Sequence, residues 1–241
     1  MTLAFVSVCR VSFLGVPQIA PRLIFDAVFA IDPIKEERNT RAQTSVVTGE
    51  DAKHRWTFSV VAQIDRVDIV QQAILDPWAD PVHFTTLRPV AAVIGAFADR
   101  VLLRTMALPW MAPRIALGCV AQWSMPDQAA INDALVRLYP GLPIETQDEE
   151  VQFRRNRPVT LDVDGTSVRC NRIISWQSAR SVFVAIGAQS RPVVSRHMLV
   201  AETDCNSDQE RSEELGPAAG ERVLRLLADE TKLLLPNGIP T

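Results

Sequence analysis

The stretch from Glu149 to Ile186, EEVQFRRNRPVTLDVDGTSVRCNRIISWQSARSVFVAI, constrains the fold most. Leu161 and Val163 alternate with Thr160, Asp162 and Asp164, the period-two signature of a half-buried strand. Asp164-Gly165 follows, and this dipeptide suits a two-residue type I′ turn because both positions tolerate positive φ. The spacing predicts a hairpin pairing Val159–Val163 with Thr166–Cys170. Apolar residues continue through Ile173 and Ile174. Ser181 to Ile186 reads as a further short strand, ended by Gly187. Pro158 fits a strand entrance, where its missing N–H breaks no ladder bond.

The same stretch concentrates charge. From Glu150 to Val200 there are eight arginines and no lysine, against three acids, a balance of +5. After Val200 nine acids face four basic residues, a balance of −5. The net charge of −3 over the whole chain conceals both blocks. Arginine binds phosphate and carboxylate in a planar, bidentate way. Arg154, Arg155, Arg157, Arg169 and Arg172, with Trp176, are therefore the candidate binding residues. Phe153 and Trp176 are available to stack on bases if the partner is a nucleic acid. An acidic protein surface suits the arginines equally. The competing structural expectation is that they pair with the chain's own acidic C-terminal segment, including Glu202 and Asp204.

Elsewhere the pattern reads as follows. Residues 3–13 form a buried strand, and 22–31 a second strand, with a short helix as the alternative. Residues 33–54 read as a polar loop. Arg55 to Ile64 gives a strand with Trp56, Phe58 and Val60 on one face. Asp65 stands where a helix N-cap would, before RVDIVQQAIL, and two Asp-Pro pairs, Asp76-Pro77 and Asp80-Pro81, end that helix. Val90, Ile94, Phe97 and Val101 mark one face of a helix over 90–107. A doubly buried strand over 114–123 comes next, then a helix from Pro126-Asp127 to Tyr139, closed by Pro140-Gly141. A strand over 196–203, a polar link over 205–214 and a helix over 220–235 complete the chain. The order implies an α+β fold with mainly antiparallel sheet and three or four helices packed on it. We read a single domain over 1–241, with two lobes, 1–145 and 146–241, as the alternative division.

Chemistry is not signalled. There is no G-x-S-x-G, no glycine-rich phosphate loop and no close cysteine–histidine pair. His54, His83 and His197 each stand alone in sequence. Cys9, Cys119, Cys170 and Cys205 are too dispersed for zinc. The first three lie in apolar runs and read as buried thiols, while Cys205 lies in a polar stretch and reads as exposed. No run of about 18 apolar residues suggests a membrane span, and Arg10 interrupts the apolar N-terminal segment, against a signal peptide. These features point to a cytoplasmic protein with reduced thiols and no cofactor or metal.

Phe153, Asn156, Arg157 and Pro158, followed by Asn171, Arg172, Ile173 and Trp176, form the pattern F-x-x-N-R-P … N-R-I-x-x-W. This resembles a family of sporadically distributed bacterial proteins with N-R-P and N-R-L-x-K-W segments. The match covers about 25 residues, and Ser175 replaces the family's lysine. The resemblance implies a bacterial origin and an α+β fold, and no reaction. The reading that follows is a non-enzymatic cytoplasmic protein that binds a macromolecular partner through the arginine-rich sheet. The alternative is an RNA- or DNA-binding subunit of a larger assembly, such as one concerned with defence.

Overall fold

The structure is a computed structural model that describes residues 2–3, 5–74, 89–105, 112–163, 165–183, 194–207, 215–235 and 238–239. In chain order the elements are β1 (Thr2–Leu3), β2 (Phe5–Leu14), α1 (Pro21–Val28), β3 (Pro33–Asn39), β4 (Thr44–Asp51), β5 (Trp56–Ala62), β6 (Arg66–Ala73) and α2 (Val90–Thr105). Then follow β7 (Arg114–Met125), α3 (Gln128–Leu138), β8 (Gln152–Asn156), β9 (Val159–Val163), β10 (Thr166–Phe183), β11 (Val194–Ser207), α4 (Pro217–Leu234) and β12 (Gly238–Ile239).

Apart from the small β1–β12 pair, all the strands join one ten-stranded sheet in the order β3-β4-β5-β6-β2-β7-β11-β10-β8, with β9 also on β10. Every pairing among the described residues is antiparallel. The fold class expected from the sequence is therefore present, with sheet dominating over helix.

The order contains one plan used twice. β2, α1, β3–β6 and α2 make a strand–helix–strands–helix unit, and β7, α3, β8–β11 and α4 make a second. In each unit the last strand returns to pair with the first: β6 with β2, and β11 with β7. The two first strands then pair with each other at the centre, Cys9 opposite Cys119.

The registers put Gly49, Phe58, Val11, Leu117, Cys205, Arg172 and Trp176 on the same face. All four described helices lie on that face. Phe25 of α1 lies over Gly49, where an added Cβ would come within 2.6 Å of its ring. Val90, Ile94, Phe97 and Val101 of α2 are buried as the spacing predicts. Ile131 and Leu135 of α3, and Val223 and Leu227 of α4, join the same core. Asp127 caps α3 by accepting from the Ala130 N–H at 2.8 Å.

Five expectations are corrected. Residues 21–28 form a helix instead of a strand: Pro21 starts it, and Arg22 and Asp26 pair at i,i+4 on its outer side. Residues 33–51 form the β3–β4 hairpin instead of a loop. β3 is an edge strand of exposed charged residues, whose hydrogen bonds come from β4 and not from any apolar pattern of its own. Residues 66–73 form a strand instead of a helix, because Val67, Ile69, Gln71 and Ala73 alternate onto the helix-covered face. Thr166 and Ser181 belong to one 18-residue strand, carried across its polar middle by β11. Cys205 is fully buried in β11, where burial pushes its thiol up to about 12. Cys9, Cys119 and Cys170 are buried as expected. The ends proposed at Pro77 and Pro81 lie outside the described residues, as does Asp164.

Candidate functional site: the arginine-bearing sheet

The hairpin pairs Val163 with Thr166 and Val159 with Cys170, the register its turn dipeptide predicts. Gly165 has φ +79°, and its N–H donates to Asp162 Oδ1 at 2.8 Å. β8 and β9 both lie against β10, and Arg157-Pro158 separates them. Proline interrupts the edge ladder where it has no N–H to give.

The structure divides the predicted arginines between two faces. Arg172 points to the helices. Its Nη1 pairs with Glu230 Oε2 of α4 at 2.7 Å, and its Nε donates to the Arg157 carbonyl at 3.0 Å. Arg155 also lies on that side, with its guanidinium 5.1 Å from the centre of the Tyr139 ring. Arg154 and Arg169 lie on the opposite, helix-free face and are exposed, as is Arg157 at the strand break. Thus the pairing with the acidic C-terminal segment holds for Arg172, through Glu230 rather than Glu202 or Asp204.

Trp176 is 1% exposed, so it cannot stack on a base. Trp123 stacks on it at 5.3 Å between centroids, and the Trp176 Nε1–H donates to Tyr139 Oη at 2.9 Å. Phe153 packs on the same tyrosine at 5.0 Å. The residues of the F-x-x-N-R-P … N-R-I-x-x-W pattern thus form a clasp. Asn156 Nδ2 donates to Asn171 Oδ1 at 3.1 Å, and Asn171 Nδ2 to Asn206 Oδ1 at 3.2 Å. The arginine of the second N-R ties the strand break to α4, and the aromatic residues tie the edge to α3.

The helix-free face holds what local reading missed. Among the described residues, the registers place seven basic side chains there: Arg10, Lys35, Arg66, Arg114, Arg154, Arg169 and Arg196. Six acids share it: Glu37, Glu50, Asp68, Asp162, Glu202 and Asp204. Between them runs an oblique apolar stripe. Val46 faces Val61, Val70 is diagonal to Val61, and Val8 is diagonal to Val70. Val8 faces Val120, and Val200 and Met198 prolong the line. All but Val200 are half-buried, whereas the opposite face of the same strands is closed. Each valine belongs to a different strand or register row, so no single segment displays the stripe.

Near the middle of this face Arg66 holds Asp68 through Nε at 2.9 Å, and Ser12 Oγ donates to Asp68 Oδ1 at 2.5 Å. Arg10 lies over Gly118, whose Cβ, if added, would be 3.6 Å from Nη2. The Nε–H groups of Arg10 and Arg114 are shielded from water and have no hydrogen-bond partner among the described residues.

His54 is not isolated in space. Its backbone N–H donates to Asp51 Oδ1 at 3.0 Å, and its Nδ1 lies 2.7 Å from Oδ2. The hydrogen bond from the His54 ring holds the Asp51 carboxyl below its ordinary range. No family model matches the sequence, and no curated protein or solved structure resembles it closely enough to count as a match.

Proposed function

We propose that this is a non-enzymatic protein that binds a protein partner across the helix-free face of its sheet. The observation that carries this reading is the half-exposed apolar stripe, flanked by charges of both signs. An apolar centre with a polar rim is the usual anatomy of a protein interface. A surface built for a phosphate backbone would carry one sign of charge. A cytoplasmic setting belongs to the same proposal, on the ground of four buried cysteines. No described helix is long and apolar enough to cross a membrane.

The second reading, an RNA- or DNA-binding subunit, draws on exposed Arg154, Arg157 and Arg169 along one edge. One experiment separates the two. The tagged chain is captured from its native host alongside Val70→Glu and a triple Arg154, Arg157, Arg169→Gln variant. A protein partner lost with Val70→Glu, at unchanged melting temperature, supports the first reading. Co-purified nucleic acid, lost with the arginine variant and with rising salt, replaces it with the second.

A further inference from the structure

We propose that the helix-free face binds a second copy of this chain, in a twofold dimer whose two sheets stack face to face with their strands crossing near a right angle. The inference rests on the protein-binding reading above and names the partner.

The direction of the apolar stripe carries it. From β4 to β11 the stripe crosses five strand steps, about 24 Å at the usual strand spacing. Over the same steps it also advances along the strands. Val70 faces Ser59, two residues from Val61. Val8 faces Gln72, two residues from Val70, and Val200 faces Gln122, two residues from Val120. Each advance has the same sense, and together they come to about 20 Å, so the stripe lies at about 45–50° to the strands. A twofold axis along the stripe lays the stripe of one copy on that of the other. The same rotation turns the second sheet's strands through twice the stripe angle, close to 90°, one of the two ways in which sheets pack face to face. A twofold contact needs a surface that complements itself, and a diagonal stripe meets that need through this rotation.

The face is also large enough, and no described helix covers it. The central strands β2, β7 and β11 have 10, 12 and 14 residues, about 33–46 Å. Across the strands the sheet spans roughly 38 Å. The face is thus nearly square. A copy turned through a right angle still overlaps it over roughly 30 Å each way, about 900 Å² per copy. A stable interface needs about 800 Å² per partner.

The charges permit the contact. Lys35, Glu37, Glu50 and Arg196 lie on one side of the stripe and cancel. The other side carries the remaining five arginines and four acids, a balance of +1. The rotation brings one side over the other, so the second copy meets no field of its own sign.

The test is sedimentation velocity of the full chain at concentrations up to about 100 μM. A species of twice the 26.7 kDa chain mass should form. Val61→Thr with Val70→Thr keeps the side-chain shape and strand propensity but places hydroxyls in the stripe, and should weaken the dimer about tenfold. Val70→Glu should leave monomer alone, with unchanged far-ultraviolet circular dichroism. Leu233→Glu, at an exposed apolar position of α4 on the opposite side, should leave the dimer intact. A chain that stays monomeric at about 100 μM overturns the inference. So does a dimer that survives both stripe variants or is lost in Leu233→Glu. A monomeric chain that captures a host protein, lost with Val70→Glu, overturns this inference alone and leaves the protein-binding reading standing.

Discussion

The two strand–helix–strands–helix units follow one plan but are tied to their helices differently. In the first unit the contacts are apolar: Phe25 packs on Phe29 and over Gly49, and Phe29 meets Phe58. Its polar ties, Arg22 to Asp26 and Glu36, lie on the surface. In the second unit the ties are polar and specific. Trp176 donates to Tyr139, Arg172 pairs with Glu230, and Asn132 donates from α3 to the carbonyls of Glu145, Thr146 and Asp148. Apolar packing tolerates adjustment, whereas buried polar ties demand one geometry. The second unit thus holds its arginine-bearing edge in a fixed place, and the resemblance motif is the hardware of that attachment.

The comparison breaks most visibly in the core. Trp176→Ala should cost about 3–5 kcal/mol, and Phe58→Ala a similar amount, measured by denaturant unfolding. If the continuous sheet makes the units cooperative, both variants unfold in one transition. Separate transitions for the second unit in Trp176→Ala would show that the units fold independently.

Arg172→Gln leaves Glu230 half-buried without its cation and should cost about 2–3 kcal/mol. The matching surface variant, Arg22→Gln, should cost less than about 1 kcal/mol. A double-mutant cycle with Glu230→Gln should recover coupling in the first case only. Equal costs for the two arginines would remove the distinction between the units.

Gly165→Val should cost about 1 kcal/mol or more, since a β-branched residue is strained at φ +79°. The open space around this glycine means the loss is conformational, so Gly165→Asn should recover most of it. A melting temperature unchanged by valine would exclude the positive-φ turn.

The smallest effect belongs to Asp51. Its folded-state carboxyl titrates below its unfolded value, so its contribution is present above the ordinary carboxylate range and lost as pH falls through the folded value. The stability gap between the wild type and Asp51→Ala should close on acidification. A gap that widens toward low pH would contradict the His54 pairing.

Legibility also differed between the units. The β9–β10 hairpin, α2, β7 and α3 were readable because their signals are local: a turn dipeptide, a helical stripe, a doubly apolar run, a capping aspartate. β3 was not readable, since an edge strand of charged residues receives its structure from β4. β6 was obscured by Asp65, which resembles a cap, although the Asp65 carbonyl accepts from the Gly15 N–H instead. Of the candidate site, Arg154, Arg157 and Arg169 are exposed. The burial of Trp176 and the engagement of Arg172 depend on Tyr139 and Glu230, which are distant in sequence.

The sequence by itself determined the antiparallel α+β class, the hairpin register, most of the helix faces and the burial of three of the four cysteines. Each of these follows from interactions between residues close in the chain. Only the tertiary structure decided which arginines lie on the helix-free face and which face α3 and α4. It alone placed valines from six strands in one oblique stripe and set Arg100 over the Phe58 ring. Those arrangements arise from strand order and register, which bring together residues that no local period connects.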